Sequence, residues 1–251
     1  MTLPPEILDK ILEHVPADDR QTLMACALVA IWWTGPCQRR LFSSVSIHED
    51  NYERWMGDVV LSQSNTNLLG YVRSLHHSRG LIGTIKYQMR DLAQDSGVFF
   101  SALRNLHTLT LHNFAVEHIG DDQFHACFSA FRDTLTYLFI NDFSTSFSAF
   151  VALVGYFPNI ATLELCSLEL KPDEGPVPSL SRPLRGKLHI HEVQGDYLEF
   201  FNRFAKLDLE YEELVIDSPY FLMGMEFVES ALRISMSTVR FLRLTTVVRC
   251  G

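Results

Sequence analysis

A pair of apolar residues flanking one variable position recurs six times: Leu109/Leu111, Leu138/Ile140, Leu163/Leu165, Leu188/Ile190, Leu214/Ile216 and Leu242/Leu244. Successive first members are 29, 25, 25, 26 and 28 residues apart. Alternate residues of a strand share a face, so each pair turns inward while the residue between them faces out. A near-constant period means that each strand is followed by a connection of similar length, long enough for the crossover that parallel strands need. The expected core is therefore one parallel sheet with its strands side by side in chain order.

The connections carry helical spacing, as in Phe124, Phe128 and Phe131, in Phe147, Phe150, Val151 and Val154, in Leu198, Phe201 and Phe204, and in Phe227, Val228, Ala231 and Leu232. These predict a layer of outer helices. Several copies lengthen to L-x-x-L-x-L, as in Leu106-Leu109-Leu111 and Leu135-Leu138-Ile140, and a weaker copy at Val72 and Leu75 lacks its second partner. Pattern and period resemble leucine-rich repeats, irregular ones, because Phe114, Phe143, Leu168, Val193, Pro219 and Val247 stand where a ladder asparagine is usual. The resemblance implies a solenoid of six to seven repeats over residues 48–251. Lys171 to Gly186, with Pro172, Pro176, Pro178 and Pro183, reads as an exposed, helix-free excursion. Nothing after the last strand reads as a cap, so the expectation is a truncated or self-capping end at Gly251.

The first 47 residues follow another rule. Ile7, Leu8, Ile11, Leu12 and Val15 have helical spacing behind Pro4 and Pro5, Pro16 ends that helix, and Asp18 with Gln21 predicts a capping box for a second. Gly35-Pro36 is expected to stop the second helix, Gln38 to Phe42 to form a short third, and Phe42, Val45 and Ile47 to begin a strand. Leu3-Pro4-Pro5-Glu6-Ile7-Leu8, then Ile11-Leu12, then Val29-Ala30-Ile31-Trp32-Trp33, resemble the F-box pattern of L-P-x-E-I, I-(F/L) and V-C-x-x-W. The match covers roughly the first 45 residues and departs from the family at Ala30, usually cysteine, and at Ile31-Trp32, commonly polar or basic. The resemblance implies docking onto a Skp-type adaptor of cullin-RING ubiquitin ligases through Leu3, Pro4, Pro5, Ile7, Leu8, Ile11, Val29 and Trp33. The fold class expected is α/β, a short all-α F-box followed by the repeat solenoid.

Thirty acidic against 21 basic residues give a net charge of -9, a field that repels nucleic acid and anionic lipid. Cys26, Cys37, Cys127, Cys166 and Cys250 are odd in number, scattered and never in a C-x-x-C arrangement, which argues against both a disulfide framework and a zinc site and for a reducing compartment. No secretory signal is visible, and the longest apolar run, Leu23 to Trp33, is too short to span a bilayer. The expected location is cytosol or nucleus, with neither membrane nor nucleic acid as partner.

No G-x-S-x-G elbow, phosphate loop, H-E-x-x-H or EF-hand spacing occurs. The acidic pairs Asp121-Asp122 and Glu212-Glu213 read as solvated element ends, and His76-His77 as strand neighbours pointing opposite ways. His189-Ile190-His191 is the strongest metal candidate, two imidazoles on one face, yet no third ligand is identifiable and both read as polar residues beside a buried Ile190. No catalytic residue, cofactor or metal is therefore expected. The outward positions nominate a protein-binding surface of Thr110, His112, Phe139, Asn141, Glu164, Cys166, His189, His191, Val215, Asp217 and Arg243, with Phe139 either an anchor or a ring buried under a loop. The function this implies is a non-enzymatic substrate adaptor of a ubiquitin ligase. The alternatives are an F-box-like scaffold uncoupled from ubiquitination, and an unrecognised hydrolase or metal enzyme built on the histidines.

Overall fold

Among the described residues, eight strands form one parallel sheet in chain order: β1 (Ser44–Ile47), β2 (Ser74–His77), β3 (Thr108–His112), β4 (Tyr137–Ser146), β5 (Thr162–Lys171), β6 (Leu184–Gln194), β7 (Leu209–Asp217) and β8 (Phe241–Thr245). The computed structural model describes residues 4–16, 18–60, 66–77, 99–112, 121–171, 180, 182–194, 197–217, 229, 233 and 238–245. The chain is of mixed α/β class. Leu109, Leu138, Leu163, Leu188, Leu214 and Leu242 pair in register as the spacing predicts, and the row extends back through Leu75 to Val45. The weak early copy completes its pair with a histidine, because His77 occupies the inward place between Ile47 and Leu111 and is 7% exposed.

Backbone hydrogen bonds just ahead of the strands lock this register. The carbonyls of Ser43, Arg73, His107 and Thr136 each accept two consecutive N–H groups from the next turn, at 2.8 to 3.0 Å. Side chains four residues before the first strand leucine repeat the device: Asn105 Nδ2 donates to the Gly70 carbonyl, Thr134 Oγ1 to that of Leu106 and Asn159 Nδ2 to that of Asp133, each at 2.7 Å. Turn carbonyls are thus paired across successive turns.

β4, β5 and β6 run longer than the repeat motif. Asp142, Ser167 and Glu192 carry φ of 51°, 52° and 135°, one residue beyond the paired Asn141, Cys166 and His191. Each such residue resets the strand's alternation, so Phe143 and Leu168, which strict period-two parity would turn outward, are instead buried. Apolar side chains thereby fill the places where a ladder asparagine was expected.

The outer layer is phenylalanine-rich. Helix Asp121–Phe128 with the 3-10 turn Ser129–Phe131, helix Phe147–Tyr156 and helix Tyr197–Phe204 follow the predicted spacing. Phe128, Phe131, Phe150, Phe201 and Phe204 are fully buried. The helix expected around Phe227 to Leu232 and most of the proline-rich excursion lie outside the described residues. Leu184 to Gly186, predicted as part of the excursion, already belong to β6, and Leu184 is buried, so β6 begins directly after Pro183 rather than after Gly186. Helices Glu49–Trp55 and Thr66–Leu69, and a π-helical turn Met56–Val60, were not anticipated.

Among the described residues three helices precede the sheet: α1 (Pro5–Glu13), α2 (Arg20–Val29) and α3 (Ile31–Leu41). The cap of α2 is Asp19, one residue later than predicted, whose carboxylate accepts from Thr22 N at 3.0 Å and Thr22 Oγ1 at 2.7 Å. The break between α2 and α3 falls at the extended Ala30, and Gly35-Pro36 lies inside α3 rather than ending α2. Packing overrides the local breaker: only a helix starting at Ile31 puts Trp33, Cys37 and Leu41 on one face, against Leu12 and Leu23. Among the described residues no helix is long and apolar enough to cross a membrane, and Cys26, Cys37, Cys127 and Cys166 are free thiols.

Candidate functional site: the open sheet face and the leading helices

Register gathers the outward residues into rows. One runs Ser46, His76, Thr110, Phe139, Glu164, His189, Val215 and Arg243; the next runs His112, Asn141, Cys166, His191, Asp217 and Thr245. Of the eleven nominated residues, Val215 fails as a contact: it is 1% exposed, covered on the face where its neighbours remain accessible. A third row, Tyr137, Thr162, Lys187, Glu213 and Phe241, was missed although it lies one alternation earlier on the same strands.

Over β1 to β4 the face is aromatic. The rings of His48 and His76, His76 and His112, and His112 and Phe139 have centroids 6.3, 4.8 and 5.7 Å apart. Asn141 Nδ2 lies 2.9 Å from His112 Nδ1, which makes that nitrogen the acceptor. Burial holds His76 and His112 below the usual imidazole range, which favours their neutral forms. Phe139 is half-buried on this open face. Phe139→Ala is expected to lower stability by less than about 1.5 kcal/mol, the scale of one aromatic contact, in thermal denaturation. A loss of about 3 to 5 kcal/mol, as for a core phenylalanine, would assign it a structural role instead.

Over β4 to β8 the face is a connected ionic network. The Tyr137 hydroxyl donates to Glu164 Oε2, Glu164 Oε1 lies 2.8 Å from His191 Nε2, and His191 Nδ1 lies 3.1 Å from Asp217 Oδ2. Arg243 approaches Asp217 at 3.8 Å. Alongside, Glu213 receives Lys187 Nζ at 2.8 Å and His189 Nε2 at 3.3 Å. Burial first, then the bond to Glu164, raises the Tyr137 hydroxyl's pKa. The hydrogen bond from Lys187 holds the Glu213 carboxyl below its usual range. Burial pushes the Cys166 thiol upward, away from the thiolate that a nucleophile requires. Glu164, His189 and His191 offer three ligand atoms within 4.8 Å of one another, so the third ligand that the sequence did not disclose comes from the neighbouring strand β5.

The helices present a different surface. Of the residues predicted to dock an adaptor, Pro4, Ile7, Ile11 and Val29 are exposed. Leu8, 1% exposed, is not: it shares the inward stripe of α1 with Leu12. Trp33 also turns inward, partly buried against Leu12, Leu23 and Cys37. Leu3 and the side chain of Pro5 lie outside the described residues. Met24, Leu28, Ile31 and Trp32, none of them nominated, are exposed instead. Between α1, α3 and the first turns of the sheet lies a cleft of about 700 Å³ lined by Asp9, Glu13, Arg39, Arg40, Arg73 and Asn105. Its cations are partly engaged, Arg39 with Asp9 at 2.9 Å and Arg40 with the Val15 carbonyl at 2.7 Å.

Neither a protein-family model nor a curated protein matches the chain.

Proposed function

We propose that this chain is a substrate-recognition adaptor of a cullin-RING ubiquitin ligase, in which residues 1–47 act as an F-box and the sheet with its outer helices acts as an irregular leucine-rich-repeat solenoid that holds a target protein. The chain is then not itself an enzyme. Its contribution to ubiquitin transfer is proximity, with the chemistry supplied by other subunits.

The observation that carries this reading is where apolar surface stays open. Of the eight large hydrophobic residues exposed among the described ones, seven lie on α1 to α3: Ile7, Ile11, Met24, Leu28, Val29, Ile31 and Trp32. Among the described residues their helices share a small core cluster of Leu12, Leu23 and Cys37 with a few flanking residues. Apolar exposure concentrated in one small region marks an interaction surface. The Ile31-Trp32 departure from the F-box pattern adds apolar area to that surface, which favours a protein partner there. The sheet's open face, with rows of hydrogen-bonding side chains around Phe139, supports target binding on the second half of the molecule.

The test is co-purification with a Skp-type adaptor, comparing the wild-type chain with Val29→Asp/Ile31→Asp. Those residues are 73% and 86% exposed, so a charge there leaves folding intact. Removal of two interface anchors is expected to weaken the complex about 100-fold or more. A well-folded wild-type chain that captures no adaptor would leave a scaffold uncoupled from ubiquitination.

A further inference from the structure

We propose that Glu164, His189 and His191 form a binding site for one divalent transition-metal cation of the zinc class on the open face of the sheet. The site stands on β5 and β6 alone and is independent of what the helices bind.

Two imidazole nitrogens and one carboxylate oxygen suit zinc, which takes such sets with bond lengths of about 2.0 to 2.2 Å. At about 2.1 Å, a tetrahedral site separates its ligand atoms by roughly 3.4 Å. The ligand atoms here all lie within 4.8 Å of one another, with Glu164 Oε1 and His191 Nε2 at 2.8 Å. The carboxylate–imidazole pair has to open by a few tenths of an ångström and His189 has to swing from Glu213 toward it. Both are side-chain adjustments on half-buried groups in a fixed parallel register.

What separates this cluster from a fortuitous group of polar residues is the support behind two of its three ligands, His191 and Glu164. Asp217 Oδ2 sits 3.1 Å from His191 Nδ1, so it holds the proton on that nitrogen and leaves Nε2 for the cation. Tyr137 holds Glu164 Oε2, which leaves Oε1 as the ligand atom. Arg243 and Lys187 face Asp217 and Glu213, the carboxylates that are not ligands, and position them. Three protein ligands leave a fourth position facing solvent, open to water or to a donor from a bound protein. Two nitrogen donors select zinc-class ions over magnesium and calcium, which prefer oxygen alone.

The experiment is equilibrium dialysis of the untagged, chelator-stripped full chain against Zn²⁺, with metal analysis, and with Co²⁺ as a visible reporter of four-coordinate geometry. One Zn²⁺ per chain is expected, and none of Mg²⁺ or Ca²⁺. His191→Ala and Glu164→Gln should weaken binding by about 100-fold or more, and Asp217→Asn by about 10-fold as a supporting residue. His112→Ala and Cys166→Ser should leave it unchanged. Circular dichroism identifies the folded variants, and Glu164→Gln, which preserves shape, decides the matter if His191→Ala does not fold. No stoichiometric zinc on the wild-type chain, or zinc retained undiminished by folded Glu164→Gln and His191→Ala, would overturn the proposal.

Discussion

Gly186→Ala is expected to destabilise the protein by about 3 kcal/mol or more and to disorganise the charged half of the open face with it. Gly186 has φ of +90°, and a Cβ there would lie 2.1 Å from the carbonyl oxygen of Ala161 and 2.9 Å from its carbonyl carbon. That carbonyl cannot yield, because it accepts from Lys187 N at 2.8 Å and so sets the β5–β6 register. The register of β6 against β7 also shifts between Gly186 and Lys187, where Tyr211 and Glu213 are the successive partners. An added methyl group therefore strikes the residue where one strand changes step against the next, a few positions ahead of His189 and His191. Chemical denaturation should show a lower midpoint with an unchanged slope. Gly35→Ala is the control: nothing lies within 4 Å of its added Cβ, and in α3 the change should be neutral or stabilising by up to about 1 kcal/mol. Equal stabilities for the two variants would mean that β6 accommodates a side chain at Gly186 by a local shift.

The sheet was legible in the sequence because its signal is redundant: six leucine or isoleucine pairs at one period leave little freedom in register, and a single strand read wrongly would have broken the row. Its charged residues were legible one by one, since the repeat register places Glu164, His189 and His191 at outward positions, but Glu164 was not recognised as the third ligand, because it is 25 residues before His189 and becomes its neighbour through the pairing of β5 with β6. The repeat period aligns Glu164 with His189, and Tyr137 with Thr162 one alternation earlier, so the row that holds Tyr137 was open to the same reading. The turn ladder of Asn105, Thr134 and Asn159 was readable in the same way, each lying four residues before a strand leucine. The helices misled for the opposite reason. Gly35-Pro36 is a strong local breaker, but whether it breaks depends on what the surrounding helix buries, and Trp33, Cys37 and Leu41 bury together only if the helix runs through it. At Ser167 and Glu192 the residue types give no hint of positive φ in sequence, and at Asp142 only the mild left-handed preference of aspartate does. The misplaced inward residues after them, Phe143 and Leu168, are the trace that strict alternation leaves behind.

His77→Leu is expected to stabilise the protein, by an amount that grows as the solution is acidified. His77 fills the inward position between Ile47 and Leu111, and its Nδ1 is buried without a hydrogen-bond partner. Leucine completes the apolar pair with Leu75 and removes that group, a gain of about 1 to 3 kcal/mol near neutral pH. Burial pushes His77 down to about 4, opposed by the residue's own backbone, which does not reach hydrogen-bond geometry with Nδ1, and reinforced by His112, His76 and His48 nearby. The unfolded chain, with an ordinary histidine near 6.5, binds a proton between those values that the folded chain does not. Stability therefore rises with pH across this window, and for the wild type it falls as pH drops from about 6.5 toward 4, by about 3 kcal/mol in all. The variant lacks this linkage, so the stability difference between the two proteins should widen by that amount over the same interval. Denaturation curves at pH 7, 5.5 and 4.5, taken as differences so that carboxylate titrations common to both cancel, measure it directly. A difference that stays constant across the three would mean that His77 finds a proton partner on acidification, and that the second strand closes its turn of the sheet with a hydrogen-bonded histidine rather than a neutral, apolar one.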